Sequence, residues 1–118
     1  MITIYGIANC DTIKKALLWF SQNKIEVNFH DYKKLGITEK KLASWCSIIS
    51  WELLLNKKST TWRELEAVEK EKITSQNSAI QLMQQCTSII KRPVIENNKT
   101  LLVGFNEKIY QQTFKNKL

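Results

Sequence analysis

The segment ITIYGIANCDTIKKALLWF, Ile2 to Phe20, sets one thiol between two kinds of pattern. Ile2–Tyr5 is an apolar, β-prone run that reads as a buried strand, and Gly6 to Asn9 reads as a loop. Beyond Thr12, the residues Ile13, Ala16, Leu17 and Phe20 recur with helical spacing, predicting a helix to about Gln22 or Asn23. Cys10 therefore falls where a strand has ended and a helix begins. A thiol is a weak nucleophile until it loses its proton, and the free amides and positive dipole end of a helix N-terminus favour the thiolate. Lys14, one turn further on, adds positive charge on the same side. Asp11 opposes it, because a neighbouring carboxylate disfavours a second anion. Asp11 or Thr12 is the expected helix cap.

A dithiol redox motif would place its second cysteine at position 13, which here is Ile13. Cys10 thus reads as a monothiol that an outside thiol must regenerate, and glutathione is the abundant cytosolic candidate. Cys46 and Cys86 lie on the apolar stripes of predicted helices and read as core packing.

The chain has two arginines, Arg63 and Arg92, and sixteen lysines. A guanidinium offers a fixed fork suited to carboxylates and oxyanions. Arg92 directly precedes Pro93, the only proline, at the mouth of a predicted strand, and the bond between them is a candidate for the cis form. Backbone groups left unpaired there would suit a peptide-like ligand. Lys58 and Arg63 are candidates to close over the site from the middle of the chain. His30, on an alternating strand pattern opposite Phe29, reads as structural, and Trp19, Trp45, Trp51 and Trp62 read as packing.

With 118 residues the chain suffices for one domain, spanning 1–118. No apolar stretch is long enough to cross a bilayer, and MITIYGIANC lacks the features of a secretory signal, so a cytoplasmic protein is expected. Three cysteines without CxxC spacing, and a single histidine, argue against a disulfide framework and a zinc site. The net charge of +7 comes from lysines spread along the chain. That reads as a solvated surface with some attraction for anions or acidic partners, and no specific nucleic-acid binding is expected. A monomer is expected.

The remaining elements must carry Arg92 to Cys10. IEVNFHDY predicts a second strand, KKLGIT a turn, and Thr38 opens a helix bearing Leu42, Trp45, Cys46 and Ile49. Ser50 is the expected cap of Trp51–Leu55, NKKSTT reads as a loop, and Trp62 to Ile73 as a helix. Ser78 is the expected cap of a helix whose face carries Ala79, Leu82, Met83, Cys86, Ile89 and Ile90. Val94–Glu96 and Thr100–Val103, joined through Asn97-Asn98, predict a hairpin. A last helix starts near Asn106 and carries Ile109, Tyr110 and Phe114. The order β-α-β, helical block, α-β-β-α predicts an α/β thioredoxin-like fold: a four-stranded mixed sheet with a helical insertion at about 38–73.

ITIYGIANCDTIKKAL, FHDYKKLGI, WELLLNKKSTTWREL, IIKRPVI and LLVGF together resemble the arsenate reductase (ArsC/Spx) family, in its YffB-like branch, over nearly the whole chain. The resemblance implies a thioredoxin-like fold with a helical insertion and a nucleophilic cysteine after the first strand, matched by Cys10. It implies an oxyanion-binding arginine at Arg92, a cis-proline at Pro93, and glutathione with glutaredoxin as reductants. The family's arsenate reductases carry a histidine where this chain has Gly6, and arginines where it has Lys14, Lys57 or Lys58, and Gly104. Lysine lacks the bidentate fork, so genuine arsenate reduction is disfavoured. The Spx-type regulators carry a CxxC switch that Ile13 rules out. The expected activity is that of a monothiol, glutathione-dependent thiol reductase or transferase acting on a small oxyanion or a thiol substrate, with no tightly bound cofactor. Cys10 is the nucleophile; Arg92, Pro93, Lys14, Asp11, Thr12, Lys58 and Arg63 are expected around the ligand. The alternative is a non-catalytic, Spx-like module that docks on an acidic partner.

Overall fold

The computed structural model describes residues 1–98 and 100–115. Four strands, β1 (Ile2–Gly6), β2 (Val27–Asp31), β3 (Val94–Asn97) and β4 (Thr100–Val103), form one sheet in the order β2-β1-β3-β4. β1 and β2 are parallel, with Gly6 opposite Asp31; β1 and β3 are antiparallel, with Tyr5 opposite Val94, and β3 and β4 are antiparallel. The carboxyl ends of β1 and β2 and the start of β3 therefore meet at one end of the sheet. This is the expected thioredoxin-like α/β arrangement. The hairpin turns at Asn98, which takes a positive φ of 56° that asparagine tolerates; Lys99 lies outside the described residues.

Alternation along β1 separates two cores. Ile2 and Ile4 pack with Ile13, Ala16 and Phe20 of helix α1 (Asp11–Gln22), and with Tyr110 and Phe114 near the chain end. Tyr5 and Val94 face the other side, against Leu42 and Trp45 of α3 (Glu39–Cys46), and Ala79, Ile80 and Met83 of α7 (Gln76–Gln85). Between them in sequence lie α2 (Tyr32–Leu35), α4 (Trp51–Leu54), α5 (Thr60–Arg63) and α6 (Ala67–Glu71). The last helix, α8 (Glu107–Tyr110), is capped by the Asn106 side chain and runs into a π turn at Gln111–Lys115. No helix of the described residues is long and apolar enough to cross a membrane.

Several boundaries differ from the sequence reading, each for a local reason. KKLGIT does not begin a simple turn: Tyr32–Leu35 is a helical turn capped by Asp31, and Gly36 ends it at a φ of 66°. Trp62 to Ile73 is not one helix but two pieces, α5, capped by the Ser59 side chain, and α6, which starts after Glu66 without a side-chain cap. The cap of α7 is Ser75, with Ser78 in the reciprocal N3 position of a capping box. That helix stops at Gln85, so Ile89 enters the core from a 3-10 turn, Thr87–Ile89. Phe29 and Ile109 are exposed rather than packed, at 36% and 43%.

A single carboxylate ties the insertion to the sheet. Glu96 of β3 accepts hydrogen bonds from the Tyr5 hydroxyl (3.1 Å), Lys41 Nζ (3.0 Å) and Trp45 Nε1 (3.1 Å). Lys41 and Trp45 both belong to α3, so one sheet residue fixes that helix. His30 is structural as expected: its Nε2 donates to the Gly36 carbonyl at 2.7 Å, and its ring packs on Tyr5 at 4.8 Å between centroids.

Candidate active site

Cys10 is itself the N-cap of α1, with extended backbone (φ −124°, ψ 126°), and neither Asp11 nor Thr12 fills that role. Its carbonyl accepts the first helical bond, from the Lys14 amide at 3.0 Å. Polar caps usually satisfy the N2 and N3 amides with an oxygen. Here the cap is a sulfur that makes no side-chain cap hydrogen bond, and the nearby Thr12 and Ile13 amides act on it by lowering its pKa.

Burial pushes the half-buried thiol up. The nearby donors of the Ile13 amide, the Arg92 side chain and the Thr12 amide, with the Arg92 charge, outweigh that effect and hold it below the ordinary thiol value. The sulfur of Cys46, by contrast, is only pushed up by burial. One thiol is primed and the other is not, and the difference lies in its neighbours.

The Arg92 side chain has a fixed anchor of its own. Nη1 donates to the Ser88 carbonyl at 2.9 Å. Ser88 sits in the 3-10 turn and its hydroxyl meets Thr61 Oγ1 at 2.6 Å, which links the turn to α5 of the insertion. The Arg92–Pro93 bond is cis. The Pro93 carbonyl accepts from the Gly104 amide at 2.8 Å, whereas the amide and carbonyl of Arg92 have no backbone partner among the described residues.

Gly6 is the close-approach point between strand and helix. A Cβ there would stand 2.2 Å from Ile13 Cδ1 and 3.7 Å from Arg92 Cβ. Ile13 is 1% exposed, so it has little room to withdraw. The absence of a side chain at 6 and the isoleucine at 13 are thus one packing solution, and it sets the helix end against the strand end.

Cys10, Thr12 and Arg92 come together, with Pro93 buried behind them. Asp11 and Lys14 are exposed, and neither is among the groups that shift the thiol. Lys58 and Arg63 are exposed on the insertion. The Lys58 amide donates to Asn56 Oδ1 at 3.1 Å, and the Arg63 carbonyl accepts from Lys70 Nζ at 3.4 Å. A groove of about 630 Å³ also borders Arg92, walled by Leu53, Leu102, Val103, Ile109 and Tyr110, and Cys10 is not part of its lining. Arg92 is common to both places.

Sequence reasoning missed Ser88, which acts through its backbone carbonyl and so leaves no mark on residue type. It also missed Tyr32, a buried phenol at the end of β2 whose hydroxyl feels the Arg92 charge.

Residues 5–113 match the sequence profile of the ArsC family. An uncharacterized protein of Haemophilus influenzae is 42% identical over 114 residues, spanning 97% of this chain and 99% of its own. The global transcriptional regulator Spx of Streptococcus pneumoniae is 27% identical over 109 residues, spanning 91% of this chain and 80% of its own. Among solved structures, the YffB protein superposes with a TM-score of 0.90 at 40% identity, covering 95% of this chain and 97% of that one. An arsenate reductase (ArsC) related protein from Brucella melitensis gives 0.75 at 42% identity, covering 97% and 94%. With nearly its whole length matched in sequence and in fold, this chain is a member of the ArsC family.

Proposed function

We propose that the protein is a monothiol, glutathione-dependent thiol reductase or transferase of the cytoplasm, with Cys10 as its nucleophile. The observation that carries this reading is the half-buried Cys10 at the N-cap of α1, whose thiol is held below its ordinary value by the nearby Ile13 and Thr12 amides and the Arg92 guanidinium.

The Cys10 thiolate attacks the glutathione sulfur of a mixed disulfide. A Cys10–glutathione disulfide forms, the original disulfide breaks, and the substrate departs as a thiolate that takes a proton from water. The thiolate of a second glutathione then attacks the glutathione sulfur on Cys10. Glutathione disulfide is released and the Cys10 thiolate returns. The substrate disulfide is reduced by two electrons at the expense of glutathione, and no second protein cysteine is required, in keeping with Ile13 at the resolving position. The Arg92 guanidinium draws a carboxylate of glutathione toward the sulfur, and the unpaired amide and carbonyl of Arg92 suit its peptide backbone. Glutaredoxin is a further reductant that the same chemistry admits.

Incubation with glutathione disulfide, followed by site-resolved mass spectrometry, tests the reading. Glutathione is expected on Cys10, removable by excess reduced glutathione. A label spread evenly over Cys10, Cys46 and Cys86, or absent from Cys10, overturns it.

The 27% identity to the Spx regulator, with the +7 charge, favours a second reading as a module that docks on an acidic partner. Function that survives Cys10→Ser selects that reading over the enzymatic one.

A further inference from the structure

Tyr32 is 1% exposed, and its hydroxyl is buried with no hydrogen-bond partner among the described residues. It is the one buried side-chain polar atom of those residues in that condition. Buried polar groups are almost always paired, and one that is not calls for an explanation. The other two tyrosines conform: Tyr5 donates to Glu96 at 3.1 Å and Tyr110 to the Gly104 carbonyl at 2.6 Å.

Its place is specific. Tyr32 directly follows Asp31, which pairs with Gly6 at the end of the sheet that carries the Cys10 loop. The helical turn it begins packs against the 3-10 turn Thr87–Ile89, whose Ser88 carbonyl anchors Arg92. The ring is fixed by Tyr5, stacked with centroids 6.3 Å apart, and by His30, edge-on at 6.1 Å. A rigid, buried phenol therefore stands behind the turn that anchors Arg92, near enough to feel the Arg92 charge. Burial, then the nearby Tyr5, push its ionisation well above the ordinary range, against a smaller opposing pull from Arg92. The group stays a neutral donor at any working pH.

Building on the glutathione reading above, we infer that Tyr32 is a ligand-binding residue of the same site, its hydroxyl reserved for the carboxylate that Arg92 recruits. The hydroxyl is out of solvent's reach in the free protein. The contact therefore accompanies a shift of Arg92 from its Ser88 anchor as the carboxylate arrives. Two donors of different shape, a guanidinium and a phenol, would then converge on one carboxylate.

Tyr32→Phe removes the hydroxyl and keeps the ring. The probe is S-methylglutathione, which has both carboxylates and cannot form a disulfide. Calorimetric titration of wild type and Y32F is paired with the thermal midpoint of each free protein and the alkylation pH profile of Cys10. Y32F is expected to bind the probe about tenfold more weakly. Its free thermal midpoint should be unchanged or higher, since an unpaired group has been deleted, and its Cys10 profile unchanged. Equal affinities overturn the role of Tyr32 and leave the glutathione reading standing. A lower midpoint for free Y32F overturns the premise that the hydroxyl is unpaired. A wild-type protein that does not bind the probe overturns the glutathione reading and this inference with it.

Discussion

Arg92 is anchored to Ser88 by a bond from Nη1 to the Ser88 carbonyl at 2.9 Å, and from there it lies close enough to Cys10 to lower the thiol. The strand that follows Arg92 belongs to the hairpin, and the turn that holds it follows α7. The primed thiol thus depends on elements far apart in sequence, which meet only because β3 runs antiparallel beside β1.

Arg92→Ala should raise the alkylation midpoint of Cys10, because it removes both a nearby donor and a charge that lower it. Arg92→Lys should restore part of the shift, since an ammonium supplies charge without the fork. Alkylation rate against pH for the three proteins checks the order wild type, then R92K, then R92A. Identical midpoints would show that the guanidinium does not act on the sulfur.

Gly6→Ala should be destabilised by about 1–3 kcal/mol, the usual cost of overpacking a full core. The new methyl group must displace Ile13, whose amide is a donor to Cys10. The variant should therefore also show a raised thiol midpoint. Urea denaturation measures the first effect and alkylation the second; a fully stable G6A with an unaltered thiol contradicts the packing account.

Glu96→Gln should lose about 2 kcal/mol, because an amide cannot accept from Tyr5, Lys41 and Trp45 as a carboxylate does. Hydrogen exchange should quicken first in α3, which carries two of those donors. Uniform exchange across both cores would show that Glu96 does not anchor that helix.

The three tyrosines should all resist ionisation. Tyr5 is pushed up to about 12 by burial, with Glu96 adding to it, and burial also raises Tyr32 and Tyr110. A raised phenol stabilises the folded state fully below its ordinary value of 10, and that contribution fades as the pH climbs through the folded-state value. Stability should therefore fall above pH 10, and phenolate absorbance should appear together with unfolding. A tyrosine that titrates near 10 in the folded protein contradicts this.

Much of the fold could be read from the chain because apolar spacing was regular where packing demanded it. Ile13, Ala16, Leu17 and Phe20 marked α1, and the two runs around Asn97-Asn98 marked the hairpin. The central block was less legible. Its helices span four to eight residues, too short for a period to emerge, and the hydroxyl caps Thr38, Ser50 and Ser59 rather than apolar stripes set the starts of α3, α4 and α5. At the site, the thiol and Arg92 could be picked out by residue type. The Ser88 carbonyl could not, because a backbone group is the same in every residue; the Thr12 and Ile13 amides were legible only through the strand-to-helix boundary. Tyr32 was hidden for another reason: only the three-dimensional neighbours of its hydroxyl show that it has no partner.

The central claim is that the folded protein holds the Cys10 sulfur ionised below the ordinary thiol range. The rate of Cys10 modification by iodoacetamide, read by mass spectrometry at that residue across pH, measures this directly. The account predicts a midpoint clearly below the free-thiol value of about 8.5, moving up to that value when the chain is unfolded in urea. A midpoint at or above it in the folded protein, unchanged by unfolding, contradicts the account.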